Sequence, residues 1–140
     1  MKKVLFFFVL MSMALSFAAC NDERDGDWHP MEWSGYSKNK DIVVNVPAEG
    51  GTTVLHCKNY SGFLLYSVVE QYDTTYKTYD ENDSTFDVHH VVTGSADIQC
   101  SGAQLQVTMK RNDSGMGRVL YVNVTAGDVF DKLRFTQAAK

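Results

Sequence analysis

The chain of 140 residues has no excess of basic charge: 13 Lys and Arg stand against 17 Asp and Glu, a formal net charge of -4. A nucleic-acid binder meets phosphate with a positive stripe, so that class is set aside. No Gly-x-Ser-x-Gly, Gly-rich phosphate loop or Cys-x-x-Cys occurs, so a nucleophile elbow, a nucleotide cradle and a dithiol redox centre are not signalled. No segment sustains a helical apolar period. The size allows one compact module, which hides roughly two-thirds of its unfolded surface and leaves little room for a second domain or an enclosed substrate cleft. The expectation is a non-catalytic protein with no cofactor and no metal site.

What is there begins at the N-terminus. Met1-Lys2-Lys3 precedes an apolar run from Val4 to Leu15, and Ser16-Phe17-Ala18-Ala19 leads into Cys20. This is the charged, apolar and small-residue sequence of a secretory signal, and it is short for a membrane span of about 20 apolar residues. The cysteine directly behind Phe17-Ala18-Ala19 resembles the lipobox of bacterial lipoproteins, which implies cleavage before Cys20 and acylation of its thiol. Each buried acyl methylene contributes ~0.8 kcal/mol, so a multiply acylated Cys20 would hold a soluble domain at a membrane. Asn21 to Asp27 contains four carboxylates, one Arg and no apolar side chain, the composition of a solvated tether. It also resembles the acidic signal that sends lipoproteins to the outer leaflet, so the expected location is the outer membrane, facing the cell surface. Trp28, Pro30 and Trp33 follow as an aromatic cluster that caps the domain or forms part of an exposed surface.

From Ile42 onward, short runs rich in Val, Thr, Tyr and Phe alternate with Gly, Asn, Asp and Ser, which predicts an all-β protein. Ile42–Val46 and Thr52–Cys57 read as a hairpin turning on Pro47-Ala48-Glu49-Gly50-Gly51. The apolar stretch 63–71 reads as a central strand buried on both faces, and 86–92 as a weaker one. Leu105, Val107 and Met109 alternate with Gln104, Gln106 and Thr108; Leu120, Val122 and Val124 share one face of the next strand, and Leu133, Phe135 and Gln137 one face of the last. About seven or eight strands fit an immunoglobulin-like antiparallel β-sandwich. The expected organisation is a signal peptide over 1–19, lipidated Cys and tether over 20–40, and the sandwich over 41–140.

Val46 to Thr52, Val107 to Asn112, Gly117-Arg118 leading into Val122-Asn123-Val124, and Leu133 to Gln137 together resemble a BACON-type domain over about Ile42 to Gln137. The resemblance implies a small immunoglobulin-like module of a surface lipoprotein, with carbohydrate or mucin as its ligand class.

Cys57 and Cys100 would lie outside the cytosol, where disulfides persist, and alternation points both into the core. Pairing and packing as two free thiols are both open readings. His89 and His90 are adjacent on a strand and so face opposite ways, and Asp80 to Asp83 lacks a calcium-loop spacing; neither makes a metal site. The stretch 72–80 interleaves three tyrosines with hydroxyls and charges. Tyr72, Tyr76, Tyr79 and Asp73 are therefore candidate glycan contacts, with rings to stack on a pyranose and a carboxylate to bind its hydroxyls. The alternative is a hairpin stabilised by cross-strand tyrosines.

These features predict a lipid-anchored, non-catalytic binding or adhesion module whose partners are the membrane and a glycan. The competing expectation is an accessory subunit that docks other envelope proteins through a sheet edge or the Trp28/Trp33 cluster. Cys20→Ser is expected to abolish processing and labelling by radioactive palmitate; continued labelling would contradict the lipobox reading.

Overall fold

The computed structural model describes residues 28–38 and 40–140. The signal peptide, Cys20 and the acidic tether over 21–27 lie outside the described residues. Among those described there are nine strands: β1 (Ile42–Val46), β2 (Gly51–His56), β3 (Leu64–Tyr72), β4 (Thr75–Tyr79), β5 (His90–Val92), β6 (Ala96–Ser101), β7 (Gln104–Met109), β8 (Arg118–Ala126) and β9 (Val129–Gln137). They form a five-stranded sheet in the order β1-β9-β8-β3-β4 and a four-stranded sheet in the order β2-β7-β6-β5. The fold is an all-β sandwich, as the residue pattern predicts.

Strand alternation builds the core. Val44, Leu65, Val68, Leu120, Val122, Leu133 and Phe135 of the larger sheet face Leu55, Ile98, Leu105, Val107 and Met109 of the smaller, and all are buried. Each such side chain contributes ~1.5–3 kcal/mol relative to exposure. Tight loops fix the register. Asp73-Thr74, Gly102-Ala103 and Gly127-Asp128 each join paired strands through two residues, with φ of 53°, 55° and 65° at the first. Positive φ there matches the turn to the strand twist.

Several expectations are corrected. Nine strands are present where seven or eight are expected, because the tyrosine stretch after β3 folds into a strand of its own, β4. The pairing is antiparallel except for β1, which runs parallel to β9. β1 and β2 are not a hairpin: β1 pairs with β9 and β2 with β7, so Pro47 to Gly50 crosses between sheets. Nor is β3 buried on both faces, since Leu64 and Tyr66 are exposed. Its pairing with β8 shifts between Leu65 and Ser67, a bulge that turns Leu65 and Val68 inward although they are three residues apart. An interrupted alternation is easily mistaken for a continuous apolar run.

The folded unit also starts before residue 41. Trp33 bridges Cys57, packs edge-on against Phe63 with centroids 5.3 Å apart, and donates from Nε1 to Asp131 Oδ2 at 2.7 Å. Asn59 accepts from the Glu32 amide and donates to the Pro30 carbonyl, both at 2.9 Å, while the Tyr60 hydroxyl donates to the His29 carbonyl. Residues 29–34 therefore close one end of the sandwich, with Met31 and Trp33 in the core. Trp33 caps; Trp28 is exposed.

The ends of β1, β7 and β9 and the start of β8 come together at one end of the sandwich. Arg118 Nε donates to Gln137 Oε1 at 2.7 Å, and its Nη2 donates to the Lys110 carbonyl. Gln137 Nε2 donates to the carbonyls of Pro47 and Lys110 at 2.8 and 3.0 Å. The Asn112 amide donates to the Ala48 carbonyl, and its side chain to those of Met116 and Ala138. These residues satisfy buried backbone oxygens across the sheet-to-sheet crossing, which is a structural task. Gly50 has φ 87°, and a Cβ there would collide with the Met109 carbonyl oxygen. Gly50→Ala is expected to lower stability by ~2 kcal/mol or more; an unchanged urea midpoint would contradict this account of the crossing.

Candidate functional site: the outer face of the five-stranded sheet

The tyrosine-rich hairpin divides its side chains between the two faces of the sheet. Tyr79 is buried and Tyr72 half-buried, and both hydroxyls donate to Glu70, at 3.3 Å each. Tyr76 is 62% exposed. It pairs with Gln71, whereas Tyr79 pairs with Val68, so alternation puts it on the opposite face. Asp73 sits in the turn. The four candidates do not converge on one ligand: two tyrosines are committed to a buried carboxylate, and Tyr76 alone looks outward.

Glu70 is 2% exposed. Its carboxylate also accepts from the Thr93 hydroxyl at 2.5 Å, the Ser95 amide at 2.8 Å and the Ser95 hydroxyl. Burial would raise its pKa, but the hydrogen bonds from Ser95, Thr93 and Tyr79 outweigh burial and hold it below the ordinary carboxylate value. Glu70 stays ionised at neutral pH and binds the larger sheet to the β5–β6 turn of the smaller.

Cys57 and Cys100 are buried free thiols, so the disulfide alternative is not realised. β7 lies between their strands: the Cys57 amide donates to Ala103 at its start, and Cys100 pairs with Leu105. Two strand spacings of about 4.8 Å exceed the Cα separation a disulfide spans. Burial pushes the Cys100 thiol up, which keeps it protonated 3.8 Å from His89 Nδ1 rather than activated. His90 instead meets Asp97 at 3.0 Å. Asp80 and Asp83 order their own loop, accepting from Asn82 and Thr85. Among the described residues no group of three or more His, Cys, Asp or Glu could hold a metal ion.

The outward side chains of the five-stranded sheet make a different surface. At the β3 bulge Tyr66 has no partner on β8, while Ser67 stands opposite Asn123, whose Nδ2 donates to Ser67 Oγ at 2.9 Å. Tyr66 is thereby aimed at Phe130: the rings are 5.3 Å apart and inclined at 75°, yet 54% and 61% exposed. Asn123, Asp131 and Lys132 complete an open cleft of about 690 Å³ around this pair. One step across the sheet, Lys132 Nζ lies 4.7 Å from the centre of the Tyr121 ring, and the Tyr121 hydroxyl donates to Gln71 Oε1 at 3.4 Å. Gln71 pairs with Tyr76. Aromatic rings interleaved with amide groups thus run from Phe130 and Tyr66 through Tyr121 to Tyr76.

Of the sequence candidates only Tyr76 belongs to this face. Tyr66, Tyr121, Asn123 and Phe130 were missed, although Tyr121 and Asn123 alternate with the core residues Leu120, Val122 and Val124, and that alternation was the available signal.

No family model matches the chain, and no curated protein matches it. Among solved structures it is similar to the NMR structure of a protein from Bacteroides thetaiotaomicron, with 31% identity, a TM-score of 0.64, and coverage of 84% of this chain and 95% of that one. The chain belongs to the family of that Bacteroides protein. The match spans nearly all of the solved chain.

Glu70 makes the stability of this family member depend on pH. Its depressed folded pKa gives stability that is present above the unfolded carboxylate value of about 4.3 and lost as pH falls through the lower folded value. Glu70→Gln places an amide N–H among hydroxyl donors and is expected to cost ~2–4 kcal/mol at pH 7. In urea titrations its deficit should shrink as pH falls below about 4. A deficit independent of pH would contradict a buried, ionised Glu70.

Proposed function

We propose that this protein is a non-catalytic cell-envelope lipoprotein, anchored through acylated Cys20 at the outer membrane and facing the cell surface, whose single module binds carbohydrate. The exposed Tyr66/Phe130 pair carries this reading. Large aromatics left in water cost free energy unless a partner covers them, and a pyranose ring offers an apolar face to stack on them. Asn123, Gln71 and the Tyr121 hydroxyl supply donors and acceptors for sugar hydroxyls beside the rings. From Tyr66 to Gln71, beside Tyr76, the strand covers about 17 Å at ~3.4 Å per residue, enough for several linked sugars. An open sheet face suits an extended chain better than an enclosed small molecule. The resemblance to BACON-type domains points to the same ligand class.

A non-catalytic role fits the chemistry of the buried acid. Glu70, saturated with donors and held ionised, is poorly suited to protonate a leaving group near neutral pH.

A second reading, an accessory subunit that docks another envelope protein, is favoured by exposed Trp28 and by β4, an edge strand exposed from Thr75 to Thr78. Unpaired strand edges accept added strands.

A glycan array carrying mucin O-glycans and plant polysaccharides separates the two readings. The soluble chain from Asn21 to Lys140 is the analyte. It should retain one glycan class, and Tyr66→Ala with Phe130→Ala should weaken retention roughly tenfold or more. Gln104→Ala, on the outer face of the other sheet, should leave retention unchanged. No retention by folded protein, with a specific envelope protein cross-linked on intact cells, would favour the accessory subunit.

A further inference from the structure

Charge is unevenly placed on this acidic protein. Beside the aromatic cleft, and sharing Asp131 and Lys132 with it, lies a second cleft of about 380 Å³ between the start of β1 and the outer face of β8 and β9. Lys40, Lys132 and Arg134 line it, and none makes an ion pair among the described residues. Two carboxylates border the same space. Asp131 is already occupied, with Oδ2 accepting from Trp33 Nε1 and Oδ1 from the Lys132 amide, both at 2.7 Å. Asp41 is the other, leaving three cations against two acids. The Lys132 ammonium is held over the Tyr121 ring, a contact that leaves its N–H donors available. Arg134 pairs across the sheet with Tyr121 and Val43, so its guanidinium rises from the same outer face.

We propose that the outer face selects glycans whose sugars carry a carboxylate, uronic or sialic acids, with neutral rings stacked on Tyr66 and Phe130 and the acid group bound between Lys132 and Arg134. This inference rests on the glycan reading above. The planar fork of Arg134 matches a carboxylate in two parallel hydrogen bonds, and Lys132 adds a point charge beside an aromatic surface that excludes water from one side. Charge complementarity selects the acid; the rings select the sugar.

The test uses polygalacturonate and sialylated mucin O-glycans, each beside its methyl-esterified counterpart, which keeps the sugar and removes the charge. The soluble chain should bind the acid forms roughly tenfold or more tightly than the esters, and binding should weaken as NaCl rises. Lys132→Gln with Arg134→Gln should abolish the preference while leaving the melting temperature within about 2 °C, since exposed charges contribute little to stability. Equal binding of acids and esters would overturn the acid selection and leave the glycan reading standing. Binding to dextran sulfate as tight as to the acids would overturn it as general polyanion attraction. Binding to no glycan, together with retention on phosphatidylglycerol vesicles, would overturn both readings and make the cations a membrane contact.

Discussion

A single ionised carboxylate is sealed between the two sheets, and the arrangement of the molecule follows from how it is satisfied. An unpaired buried charge costs several kcal/mol, yet Glu70 has no cation bonded to it among the described residues; it is held by hydroxyl and amide donors instead. Those donors come from β4, from the Thr93–Ala96 turn and from β3 itself, so they fix the edge of the five-stranded sheet against the edge of the four-stranded one. Breaking the set would leave either a buried charge or several buried hydroxyls without partners. At present no buried side-chain nitrogen or oxygen among the described residues lacks a partner.

This arrangement decides which aromatics are available. Tyr72 and Tyr79 are drawn inward by the carboxylate, while the β3 bulge turns Tyr66 outward against Phe130. At the end of the sandwich away from Phe130, Arg118, Gln137 and Asn112 tie the crossing loop to β8 and β9. The inner faces and both ends are thus committed to structure. The outer face of the larger sheet is where exposed aromatics, amides and unpaired cations coincide.

Much of the fold was legible in the residues. Alternation through Leu105 to Met109, Leu120 to Val124 and Leu133 to Gln137 places the core side chains correctly, because half-buried strands impose a period of two on one sequence. What was hidden depends on partners remote in sequence. Pro47 to Gly51 looks like a hairpin turn, but nothing local says that β1 will join β9 and β2 will join β7. The tyrosines at 72, 76 and 79 look like one cluster because they are close in the chain. Strand parity separates Tyr76, and the Glu70 side chain, held by Thr93 and Ser95, 23 and 25 residues further on, claims the other two. Trp33 could be read as a cap or a surface group until its bond to Asp131, 98 residues away, was known.

The claim on which the functional account turns is that ligands meet the outer face of the five-stranded sheet. An amide chemical-shift titration of the ¹⁵N-labelled soluble chain with oligosaccharides from mucin and plant cell walls addresses it most directly. The account predicts saturable shifts centred on Tyr66, Tyr121, Asn123, Phe130 and Lys132, with the amides of β2 and β7 unmoved. Shifts centred on the outward residues of β2, β6 and β7, or confined to the Asp73–Thr74 turn, would contradict it.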